Sequence, residues 1–190
     1  MNKVSKGYFL GTIGVGFGLT DLLLLMGAIT AHTDGPHEGA PLLGLAVLVS
    51  LGVGVVLMVL FYKMWAAIQD AYVRTSPGKA VGFLLIPFFN VYWAFQAIWG
   101  FAKDYNRFVA RHGVIAMPLP DGLFLAYTIL TLTTWLPGIG VVLQIVRDIV
   151  GVCMVAKICD GVNALPARAG AAAGPMGREE RGEVISPHVA

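Results

Sequence analysis

Apolar residues in this chain do not alternate with polar ones; they run on unbroken. Four such stretches stand out, roughly 8–30, 42–62, 123–136 and 139–156. An apolar run of about 20 residues matches a hydrocarbon core ~30 Å thick at ~1.5 Å of helical rise per residue. The third and fourth stretches are separated by Pro137 and Gly138, which end helices and favour a tight turn. The pattern predicts an all-α integral membrane protein with four transmembrane helices.

A fifth stretch, 80–101, reads AVGFLLIPFFNVYWAFQAIWGF. It is long enough to span, but Pro87 breaks it and Asn90 and Gln96 are polar. Tyr92, Trp93 and Trp99 are residues that prefer the headgroup level. The expectation is a re-entrant or interfacial segment, its irregular backbone covered by the surrounding helices. Asn90 is well placed to satisfy a backbone group freed by Pro87.

Charge supports that choice. Of thirteen Lys and Arg, only Arg147 lies inside an apolar stretch. The connections at 31–41 and 137–140 carry none. If 80–101 does not span, all the other basic residues fall on one side, as the positive-inside bias requires. If it spans and a fifth helix follows, Lys3, Lys6, Lys63, Arg74 and Lys79 face seven basic residues on the other side, against that bias. The predicted topology is therefore multi-pass in the cell inner (plasma) membrane, with both termini cytoplasmic. Residues 1–165 form one helical domain. The tail 166–190, rich in Ala, Gly, Pro and charge, is expected to be disordered. Lys3, Lys6 and the small residues at 28–31 imitate a signal peptide. The run is longer than a signal h-region and holds Asp21, so it reads as a retained first helix.

Composition agrees: 57% of residues are hydrophobic and 13% charged, where soluble domains carry about 25% charged residues. No basic cluster stands apart from a membrane border, which argues against nucleic acid. Cys153 and Cys159 are expected as free thiols on the reducing side. Gly78 and Lys79 lack the upstream glycine and following Ser or Thr of a phosphate loop. His32, Asp34, His37 and Glu38 read as a solvated loop, and no metal or cofactor is expected. Nor does any nucleophile–base arrangement appear, so the chain does not read as an enzyme.

Charges within the bilayer are costly and need partners or a role. By helical rise, Asp21 lies about 20 Å from the cytoplasmic face and Arg147 about 10 Å below the other. Those depths coincide, so Asp21 and Arg147 are expected to pair, with Asp148 facing another neighbour or Gln144. Asp70, Asp104 and Asp160 read as solvated border charges. Gly7 with Gly11, and Gly14 with Gly18, are spaced by four, as in close helix packing in lipid. Partners implied are the lipid bilayer and a membrane protein or a second copy of the chain. The favoured function is a helix-packing or partner-binding membrane component. A small transporter or channel using Asp21, Arg147 and Asp148 is the alternative.

The block from Trp65 through Asn106, with KICDGVNAL at 157–165, resembles a family of small bacterial multi-helix membrane proteins. In that family a Pro-x-x-Asn-x-Tyr/Trp segment follows the second helix; here it is Pro87, Asn90, Tyr92 and Trp93. The resemblance covers under a third of the chain and implies fold and location, not an activity. The Arg147 and Asp148 pair lies outside its pattern.

Overall fold

The computed structural model describes residues 3–133 and 140–165. The Pro137 turn and the tail 166–190 lie outside them. Among the described residues every element is helical. Helix α1 spans Lys6–Thr33 and α2 spans Pro36–Ala67, with 28 and 32 residues. These two are long and apolar enough to cross a membrane. Helix α3 (Pro77–Gly82) continues as a 3₁₀ turn, Phe83–Leu85. Helix α4 (Phe89–Ala94) passes through a π-helical turn, Phe95–Trp99, into α5, Gly100–His112. The amphipathic face of α5 buries Phe101 and Tyr105 and exposes Arg107 and Arg111. Helices α6 (Asp121–Thr133) and α7 (Gly140–Ala164) have 13 and 25 residues.

The expected loop at 31–41 is almost absent. Only Asp34 and Gly35 separate α1 from α2. Gly35 takes φ 114°, a value open mainly to glycine, and Pro36 starts the next helix, where its missing N–H costs nothing. Polar, Pro- and Gly-rich composition suggested a loop; helix-compatible proline placement overrides it.

The tight packing of α1 on α2 uses different glycines from those expected. A Cβ on Gly7, Gly11 or Gly18 would meet nothing within 4 Å, and one on Gly14 would only touch Val152 at 3.8 Å. The close approaches are at Gly16, against Val53, and at Gly39, against the backbone of Gly27 and Ala31. The four-residue spacing identified small residues but not their direction around the helix.

The core sits at one end of the bundle. There Met64, Trp65 and Ile68 of α2 meet Phe101 and Tyr105 of α5, Phe124 of α6 and Ile158 of α7. Polar clasps tie the same end together. The amide of Asn163 exchanges two 2.8 Å hydrogen bonds with the Val4 backbone. The Asn106 amide donates to the Leu119 carbonyl at 2.9 Å and accepts from the Leu119 N–H at 2.7 Å. Arg74 reaches Asp104 with Nε and Nη2, both at 2.8 Å. Asp104 is therefore not a solvated border charge: its side chain is 5% exposed. Asp70 accepts from Arg111 at 2.7 Å. Burial works against the Asp70 charge, but the Arg111 hydrogen bond and the Tyr72 backbone N–H outweigh it and hold the carboxyl below the usual range.

Candidate functional site

The segment 80–101 is not one rod. It doubles back, and the Trp93 indole N–H donates to the Ala80 carbonyl at 3.0 Å. Phe83 packs edge-on to Phe89 and Trp93, with ring centroids 5.6 and 4.8 Å away. The tip is Pro87–Phe88. The Phe89 N–H reaches back to the Pro87 carbonyl at 2.7 Å, and Phe88 between them sits at φ 63°, ψ −40°. That is the geometry of a γ-turn of the rare, strained kind. The Phe88 side chain is 92% exposed.

Asn90 does not cap the freed backbone as expected. Its own N–H bonds the Ile86 carbonyl at 3.0 Å, and the residue lines a cavity. At the hairpin base, the Ala97 carbonyl in the π-turn accepts the Trp65 indole N–H at 2.9 Å. Gln96 accepts from Arg74 at 3.0 Å and donates to the Tyr92 hydroxyl at 3.4 Å. The base of the hairpin is thus anchored by hydrogen bonds, and the rings of Phe83, Phe89 and Trp93 pack together behind its exposed tip.

The hairpin, α2 and α6 enclose a groove of about 700 Å³. That lies within the ~300–1,000 Å³ typical of small-molecule sites. Met58, Leu84, Val91 and Leu132 make it apolar, with Pro87, Phe88 and Asn90 at the tip side and Tyr127 and Thr131 from α6. Gly54 opens the α2 wall: a Cβ there would meet nothing within 4 Å.

A second, smaller chamber of about 190 Å³ shares Gly54, Leu57 and Tyr127 with the groove. Phe17, Thr20, Ser50 and Arg147 complete much of its lining. Of the charges noted in the sequence, Arg147 reaches this chamber. Asp21 and Arg147 do not pair as expected. Arg147 turns to Asp148, its Nε 2.8 Å from Oδ1. Gln144, one turn earlier on α7, donates to Asp21 at 3.3 Å. Helical rise fixes depth and says little of azimuth, and an adjacent carboxylate needs no interhelical reach. Gly151 admits the rings of Tyr127 and Phe17, which a Cβ would meet at 2.8 and 3.1 Å. The Phe17 ring lies 5.7 Å from the guanidinium, a cation–π distance.

His32, Asp34, His37 and Glu38 do not gather; among the described residues no group of three or more His, Cys, Asp or Glu comes together. Cys153 and Cys159 are free thiols. Burial, with Asp160 beside it, pushes the Cys159 thiol up to about 11, so it is not a poised nucleophile. Sequence reading missed Tyr127, Met58 and Arg74 as parts of this site. Each acts through a partner tens of residues away, and no local signal announces it. No protein-family model matches the chain, and neither does any curated protein or solved structure.

Proposed function

We propose that the protein is a four-span inner-membrane protein with both termini cytoplasmic, and that it holds an apolar membrane molecule in the groove between α2, α6 and the α3–α4 hairpin. It acts as a non-enzymatic binding component. The hairpin dips into the bilayer and returns. The groove carries the reading: it is large, apolar, and built on a strained turn that the packing around it must maintain. Location rests on exposure as well as composition. Only 11% of the most apolar part of α2 is buried, whereas a helix at the core of a soluble protein is mostly buried. The outward leucines of α1 and α2, such as Leu22, Leu25, Leu48 and Leu51, then face acyl chains. A transporter is the second reading, favoured by the Arg147 chamber that adjoins the groove.

Two predictions follow from this assignment. Gly54→Leu should fill the groove without a clash, because the site is open. A photoactivatable fatty acid in nanodiscs should crosslink full-length protein at Met58 and Leu132, and Gly54→Leu should cut that labelling several-fold. Labelling spread evenly over the exposed leucines of α1 and α2, and indifferent to Gly54→Leu, would count against a specific site.

Topology is tested with single cysteines in a background lacking Cys153 and Cys159. Gly35→Cys should react with an impermeant thiol reagent from outside. Gly78→Cys, Arg107→Cys and Gly170→Cys should react only after permeabilisation. External labelling of Arg107→Cys means that 80–101 crosses the membrane; external labelling of Gly170→Cys removes the four-span arrangement.

A further inference from the structure

We infer that Asp21 of α1 and Asp148 of α7 together form a site for one proton, held between two helices inside the apolar part of the bundle. The inference is independent of what fills the groove.

Three ionisable groups of opposite kinds meet here: two carboxylic acids and one guanidinium. Oδ1 of Asp148 takes both Arg147 donors, from Nε at 2.8 Å and Nη2 at 2.5 Å. Oδ2 of Asp148 is buried and has no hydrogen-bond donor among the described residues. The Asp148 side chain is 5% exposed, so outside solvent does not supply that donor. Across from it, Gln144 donates to Oδ1 of Asp21 at 3.3 Å; Gln144 and Asp148 are one turn apart on the same face of α7, which sets the Asp21 carboxyl against the Asp148 face. From α6 the only titratable side chain against the cluster is Tyr127, and α2 brings the hydroxyl of Ser50 to the adjoining chamber.

The charge balance then decides. With both acids ionised, one guanidinium faces two carboxylates, and one negative charge stays uncompensated in an apolar surrounding. A proton on the pair removes that surplus. It also turns one carboxyl into an O–H donor, which supplies the partner missing from Asp148 Oδ2. Two close carboxyls that share a single proton are a recognised solution to this conflict. The proton comes from water and returns to it; the 190 Å³ chamber beside Arg147 has room for the water that would deliver it. Release would set two like charges on α1 and α7 against each other. Those helices touch where Gly14 meets Val152 and Gly151 meets Phe17, so proton occupancy biases their packing.

The test is infrared spectroscopy of full-length protein in nanodiscs at neutral pH, with aspartate labelled by ¹³C at its carboxyl carbon. The expected result is one isotope-sensitive carbonyl band of a protonated carboxylic acid. Asp21→Asn and Asp148→Asn should each abolish it, because the remaining carboxylate then balances Arg147 alone. Asp160→Asn, at an exposed border acid bound to Lys6, should leave it intact. Both Asn variants keep one acid per guanidinium and should fold; if one fails, the other asks the same question. No aspartic acid band in the wild type overturns the inference. So does a band that survives either substitution, or one that disappears on adding sodium at constant pH, which would mark the site as one for a metal cation.

Discussion

Gly39→Leu is expected to leave little folded protein. A Cβ at this position collides with the Gly27 carbonyl and would stand 2.6 Å from the Ala31 Cβ and 2.8 Å from the Ala31 nitrogen. Those are main-chain and first side-chain atoms of the neighbouring helix, two residues of turn away. No rotamer change relieves the contact. Overpacking of a well-packed interior usually costs about 1–3 kcal/mol because side chains can shift. Here the two helix backbones must separate, so the cost should reach or exceed the top of that range. Domains are stable by only about 5–15 kcal/mol. Gly16→Ala should cost less, since its obstacle is the Val53 side chain. Gly44→Leu and Gly52→Leu face open space and should fold normally. Fluorescence-detected gel filtration after heating ranks the four. If Gly39→Leu survives heating as well as Gly44→Leu, the α1–α2 hairpin does not close as described.

The contrast with the expected glycines says what a sequence can carry. Length and unbroken apolarity made α1 legible to within three residues at each end and α2 to within six, because both are properties of one segment. Gly7, Gly11, Gly14 and Gly18 were also visible, but which face of α1 meets α2 depends on a partner 20 or more residues away. The same holds for the charges. Matching depths from helical rise suggested a direct Asp21–Arg147 pair. Arg147 nevertheless bonds Asp148 beside it, and Gln144 is the residue that crosses to Asp21.

Proline gave mixed information. Pro87 announced the break in 80–101, and the hairpin turns there. Pro36 and Pro41 suggested a loop, yet α2 begins at Pro36 and runs through Pro41. A proline in the first turns of a helix gives up few hydrogen bonds and reads the same in sequence as one in a loop. The groove itself had no sequence signature. Its walls come from α2, the hairpin and α6, and each wall reads locally as ordinary apolar helix.

Arg74 and Asp104 were equally hidden, and they carry the second large expected effect. The two are 30 residues apart, and each looked like a solvated charge at a membrane border. In the fold they make a two-pronged contact, with Asp104 buried and Arg74 also reaching Gln96 at the hairpin base. Gly100 makes room for it: a Cβ there would lie 2.8 Å from the guanidinium. Arg74→Met should therefore strand a buried carboxylate. Removing one partner of a buried pair typically costs about 3–5 kcal/mol. The Arg74 side chain is 31% exposed and Arg107 stands 3.6 Å from Asp104, so solvent and a second cation soften the loss towards the lower figure. Asp104→Leu should also destabilise, while Arg74→Met with Asp104→Leu should recover much of the loss, since no lone charge remains. Melting of the three variants in detergent closes the cycle. The groove offers a separate readout. The hairpin base is anchored through Arg74 and Gln96, so Arg74→Met should reduce fatty-acid crosslinking at Met58 even below its melting temperature. Strictly additive losses in the cycle would mean that Asp104 draws its support from Arg107 or from water. Unchanged crosslinking in a destabilised Arg74→Met protein would mean that the tip is held by its own aromatic packing of Phe83, Phe89 and Trp93 and not by the ion pair at its base.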